Sequence, residues 1–112
     1  MVNYNKIVRD NIPDIIRDSG GSCETTEVNS YMAIGYLIDK IHEETNELAA
    51  VRNIEGAALK ELADIQECIR AICQKMSVPL DRLEYVRSMK ASAKGAFERN
   101  IILIEASEYH KT

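Results

Sequence analysis

Glu43-Glu44-Thr45-Asn46-Glu47 and Glu61-Leu62-Ala63-Asp64 are the stretches whose reading decides the fold. As a pattern they are E-E-x-x-E, then residues 48–60, then E-x-x-D. Both halves lie in sequence with helical periodicity. Arg52-Asn53-Ile54-Glu55-Gly56, between them, reads as a turn, because Asn53 and Gly56 are residue types that end a helix and let the chain reverse. In an antiparallel helix pair, residues equally far from the turn lie level. Glu47 and Glu61 are each seven residues from Ile54, and Glu44 and Asp64 are each ten. At ~1.5 Å rise per residue, this predicts two rungs of facing carboxylates roughly 4.5 Å apart along the axis. Residues three apart share a helix face, so the rungs can converge on one point. Carboxylates packed this closely repel unless a cation sits among them. Mg²⁺ suits such oxygen donors and keeps positions open for phosphate and water, with Mn²⁺ as an alternative.

Glutamate-rich helix surfaces are common, and the competing reading of E-E-x-x-E is a solvated face. Helical phase separates the two readings. At ~100° per residue, Ile34, Leu37, Ile38, Ile41 and Leu48 form an apolar stripe that contains Glu44. Glu47 falls at its edge, and Glu43 points to the opposite side. A carboxylate facing a core is costly unless paired or metal-bound. On the second helix Leu59, Leu62, Ile65, Ile69, Ile72 and Met76 form the stripe, with Glu61 at its border and Asp64 further round.

The rest of the chain narrows the function class. Its 112 residues allow one domain, spanning 1–112, with one modest core. A net charge of −4 argues against a nucleic-acid binder, which normally carries a basic face. No signal-peptide pattern and no bilayer-length apolar run is present, so a cytoplasmic protein with no membrane association is expected. Cys23, Cys68 and Cys73 are odd in number and include no C-x-x-C, consistent with reduced thiols.

In order, Asp10 or Asn11 can cap a short helix with Pro13 in its first turn, stopped by Gly20-Gly21. Lys6, Arg9 and Asp10 form a charged group, read either as a capping cluster or as a phosphate clamp. Ser22–Val28 suggests a short extended segment. Long helices are expected over about 31–51 and 57–76, the first capped by Asn29 or Ser30. A third is expected over about 80–93, after Pro79. His42 reads as a surface residue. Lys90 and Lys94 lie four apart near the end of the third long helix, where lysine suits the helix dipole. Ile101–Ile104 reads as a buried extended tail or a short helix, with Phe97 as its anchor. Apolar residues on two sides of the third long helix hint at an oligomer.

The double acidic motif resembles that of the all-α nucleotide pyrophosphohydrolases, a superfamily that includes MazG-like proteins, dimeric dUTPases and phosphoribosyl-ATP pyrophosphohydrolase. Lys6-Ile-Val-Arg-Asp-Asn-Ile-Pro-Asp-Ile-Ile16 is similar to the K-L-V-R-D-K-I-P-E-I-I opening of a small single-domain branch, and Lys94-Gly-Ala-Phe-Glu-Arg-Asn-Ile-Ile-Leu103 resembles that branch's R-G-G-F-E closing stretch. Asn11 departs from the usual Lys, and Lys94 replaces the usual Arg, which bears on substrate identity. The resemblance implies an all-α helical bundle built on the antiparallel hairpin and completed by oligomerisation, as a homodimer or homotetramer. It implies hydrolysis of a nucleoside triphosphate between the α and β phosphates, to a monophosphate and pyrophosphate. Carried over by position, the metal ligands are Glu44, Glu47, Glu61 and Asp64; on chemical grounds, Glu47 or Glu44 is placed to accept a proton from the attacking water. Glu43 would stand behind them or meet a neighbouring subunit. On chemical grounds, Lys6, Arg9, Lys90 and Lys94 would stabilise charge on the departing pyrophosphate. The alternatives are a phosphoribosyl-ATP enzyme, a non-catalytic helical oligomerisation or regulatory module, and a carboxylate protein for iron or manganese. The last usually carries Glu-x-x-His, which does not occur here.

Overall fold

The computed structural model describes residues 2–108 and is all-helical: α1 (Ile12–Asp18), α2 (Ser30–Val51), α3 (Glu55–Lys75) and α4 (Leu80–Lys94). The chain divides into two compact units, Met1–Leu80 and Asp81–Thr112.

The first unit is built on the α2–α3 hairpin. Asn29 caps α2, its side-chain oxygen accepting the Met32 N–H at 2.8 Å, which satisfies one of the donors a helix start leaves unpaired. The reversal is tighter than the sequence suggests. The Ile54 N–H bonds the Val51 carbonyl at 2.8 Å, and α3 restarts at Glu55. Gly56 is therefore the second residue of α3 rather than part of the turn, and neither it nor Asn53 takes a left-handed conformation. The turn spans 52–54 and centres on Asn53, one residue before the Ile54 expected, and it still brings Glu44 of α2 to Glu61 and Asp64 of α3.

The α2–α3 seam holds Ala33, Leu37, Glu44 and Cys68, all buried. Cys73 is buried as well, and all three cysteines are free thiols. Burial pushes the Cys68 thiol up. The apolar stripe expected on α3 is only partly covered: Ile65 and Ile72 are half-buried, while Leu59, Leu62, Ile69 and Met76 are 63%, 49%, 40% and 59% exposed.

Upstream, α1 starts after Asn11, which makes no side-chain capping bond, so the cap expected from Asp10 or Asn11 is not formed. Gly20 ends the helix in a left-handed conformation (φ +90°) that a side chain would disfavour. Residues 22–28 form no strand. At the end of α3 the Val78 N–H bonds the Cys73 carbonyl at 2.8 Å, and Pro79 immediately precedes α4.

In the second unit, α4 buries no residue. Gly95 (φ +88°) ends it, its N–H bonding the Ala91 carbonyl. The chain beyond is irregular, and Ile101–Ile104 is exposed, as neither a helix nor a buried tail. Phe97 is 98% exposed and anchors nothing among the described residues, contrary to the expectation from its being the only phenylalanine.

No helix among the described residues is long and apolar enough to cross a membrane.

Candidate metal centre

The hairpin register brings the acidic residues together as two overlapping groups. Carboxylate oxygens of Glu44, Glu61 and Asp64 lie within 4.8 Å of one another across the two helices. Oxygens of Glu43, Glu44 and Glu47 do the same along α2. Glu44 belongs to both groups and is the most buried, at 4% exposed. Its place in the apolar stripe of α2 explains this: the face that carries Leu37 into the seam carries Glu44 one turn-pair further on.

Glu43 is where the structure departs from helical phase. The phase turns its Cα away from the others, yet its carboxylate joins Glu44 and Glu47. The glutamate side chain is long enough to cover that difference, and two lysines draw it in. Lys6 bonds Glu43 at 3.1 Å, and Lys40 lies 3.9 Å from it. The Lys6 contact holds the Glu43 carboxyl below its ordinary range.

Three cations meet the five carboxylates. Lys40 lies 3.3 Å from Glu44, Lys6 holds Glu43, and Arg9 bonds Asp64 at 2.6 Å. Lys6 and Arg9 thus sit on the acidic group through contacts 37 and 55 residues apart in sequence, instead of standing in solvent or capping α1. The bond to Asp64 raises the Arg9 guanidinium further above its ordinary value. Lys40 was not singled out by its sequence. The signal for it was available, since it stands four residues before Glu44 on one helix, the spacing at which opposite charges meet.

The neutralisation is incomplete. Five carboxylates face three cations, so a surplus of negative charge remains once Glu61 is ionised. Two buried oxygens, Glu44 Oε2 and Glu61 Oε2, have no hydrogen-bond donor. Such orphaned acceptors are costly in a folded protein. The adjoining Glu44 carboxyl, then desolvation, then contact with Glu47 and repulsion from both neighbours push the Glu61 carboxyl up to about 7. An all-carboxylate donor set with unsatisfied buried oxygens fits a hard cation such as Mg²⁺ or Mn²⁺.

His42 is exposed on α2, as expected of a surface residue. Lys90 and Lys94 are on α4 in the second unit, where with Tyr85, Val86, Met89 and Ala93 they line a shallow, mostly apolar surface. Comparison with family models, curated proteins and solved structures gives no match to this chain, so its carboxylates and their counter-ions are the ground for any functional reading.

Proposed function

We propose that the chain is a Mg²⁺-dependent nucleoside triphosphate pyrophosphohydrolase of the MazG-like kind, releasing a nucleoside monophosphate and pyrophosphate. The observation that carries this reading is the buried pair of donor-less oxygens, Glu44 Oε2 and Glu61 Oε2, at the point where two helices bring Glu44, Glu61 and Asp64 within 4.8 Å. A buried surplus of negative charge asks for a cation, and cations held by carboxylates with open positions are used on phosphates.

Glu44, Glu61 and Asp64 would hold the ion, with Glu47 beside them. Bound there, Mg²⁺ would neutralise and orient the triphosphate. Glu47 is exposed and takes part in no ion pair among the described residues, whereas Glu44 is buried against Lys40. Glu47 is thus the better proton acceptor of the two. It would take a proton from water as the water oxygen bonds to the α phosphorus. The bond from that phosphorus to the bridging oxygen breaks, and pyrophosphate leaves with the electron pair. The likeness of residues 6–16 and 94–98 to the small single-domain branch points the same way.

Self-association belongs to this proposal. Leu62, Ile69 and Met76 leave an apolar stripe of α3 exposed, and a second copy, in a homodimer or homotetramer, would remove it from water.

The test is pyrophosphate release from a panel of nucleoside triphosphates and phosphoribosyl-ATP, with Mg²⁺ and with chelator, alongside Glu44→Gln and Glu61→Gln. Metal-dependent release of pyrophosphate, lost in both variants, is expected. Orthophosphate release would mean that a different bond is cut. Metal binding without turnover on any of these substrates would leave a non-catalytic module.

A further inference from the structure

Resting on the metal reading above, we propose that Lys6 and Arg9 are exchangeable counter-ions: they hold Glu43 and Asp64 while no divalent ion is bound, and turn to the phosphates of an incoming metal–nucleotide complex.

Position comes first. Both residues lie in the stretch before α1, which has no regular structure of its own. Arg9 is attached to α3 through Asp64, and Lys6 to α2 through Glu43. Among the described residues, these are the ion pairs that tie this stretch to the hairpin. Both cations take the outer carboxylates. The inner oxygens, Glu44 Oε2 and Glu61 Oε2, are left without donors. The basic side chains therefore lower the charge of the group without filling its centre.

Energetics permits the exchange. The Lys6 and Arg9 side chains are 41% and 55% exposed. Exposed ion pairs are weak, so leaving one carboxylate for another anion costs little. A divalent ion on Asp64 would compete directly with the guanidinium and repel it. A triphosphate arriving with that ion offers oxygens that suit the fork of arginine better than a shared carboxylate does. One set of cations could thus stabilise the empty site and grip the substrate, with nothing else on the hairpin needing to move. Lys40 differs. It is more buried than either, with its side chain 20% exposed against Glu44, and it stays in place as a fixed charge.

The experiment is calorimetric titration of the full chain, first with Mn²⁺ alone and then with inorganic pyrophosphate in saturating Mn²⁺. Arg9→Ala removes the competitor, so it should bind Mn²⁺ about two- to fivefold more tightly, the scale of one exposed ion pair. The same variant should bind pyrophosphate about tenfold or more weakly, as expected for a lost charge-assisted contact. Lys6→Ala should follow with smaller changes. Arg9→Lys keeps the charge without the fork, so its Mn²⁺ affinity should stay near wild type while pyrophosphate affinity falls. Weaker binding of both ligands by Arg9→Ala would mean that Arg9 only braces Asp64, and would overturn the exchange. Unchanged affinity for both would overturn it as well. A wild-type chain that binds no Mn²⁺ would instead overturn the metal site, a separate and visible failure.

Discussion

On the proposed self-association, replacing Ile69 by lysine should turn the assembly into a monomer. Ile69 sits at the middle of the uncovered α3 stripe, 40% exposed, between Leu62 and Met76. Fully burying an isoleucine side chain contributes about 1.5–3 kcal/mol, so covering the exposed part contributes about 0.6–1.2 kcal/mol per copy. A two-fold interface repeats every contact, which makes about 1.2–2.4 kcal/mol. At 1.4 kcal/mol per tenfold, the dissociation constant rises roughly 7- to 50-fold from the lost apolar contact alone. Two lysines brought together by symmetry add repulsion to this. Size-exclusion chromatography with light scattering, run over a wide concentration range, reads the result. Wild type should elute at a multiple of 12.6 kDa and the variant at 12.6 kDa, with unchanged helical circular dichroism. A wild-type chain that is monomeric at every concentration would refute the self-association. A variant that assembles like wild type would refute the stripe as its interface.

The other predictions concern the acidic group and the helix it sits on. Glu44→Gln and Glu61→Gln should each remove the metal-dependent rise in thermal stability, which for wild type is about 2.7 kcal/mol at a hundredfold excess of ion over its Kd. A rise that persists in both would move the ion elsewhere. Metal affinity should increase with pH through about 7, where Glu61 gives up its proton to let the ion in. The same carboxyl has a folded-state value above its ordinary 4.5, so the folded chain binds more protons between the two. The stability of the metal-free protein should therefore fall as pH rises from about 4.5 through about 7. Thermal melts in chelator across that window check the sign. Asn29→Ala, by removing the α2 cap, should cost about 0.5–2 kcal/mol. A melting temperature unchanged from wild type would show that the Asn29 cap contributes nothing to α2.

The hairpin was legible because it is written in local terms. Asn29, the apolar periodicity of α2 and α3, and the equal spacing of Glu47, Glu61, Glu44 and Asp64 about Ile54 each need only one helix or one turn to interpret. Glu44 could be found by phase alone, as a charge where an aliphatic residue belongs. What stayed hidden depends on tertiary placement. Lys6 and Arg9 find their carboxylates across 37 and 55 residues, and no periodicity encodes that. Glu43 followed its side-chain length rather than its helical angle. Phe97 and Ile101–Ile104 are apolar enough to suggest a core, but one chain offers them none, so their hydrophobicity says that they can be covered and not by what.

Cys68 gives the hairpin a chemical clock. Its thiol is buried in the same seam as Glu44, within electrostatic reach of Lys40, Arg9 and Asp64, and burial keeps it protonated. A protonated, enclosed thiol reacts slowly, because the thiolate is the nucleophile. Alkylation of Cys68 must then wait for α2 and α3 to part, and its rate measures how often they do. The half-buried Cys23 supplies an internal reference in the same molecule. Anything that draws the carboxylates together should slow the clock, so the breathing of the site can be timed without an attached label.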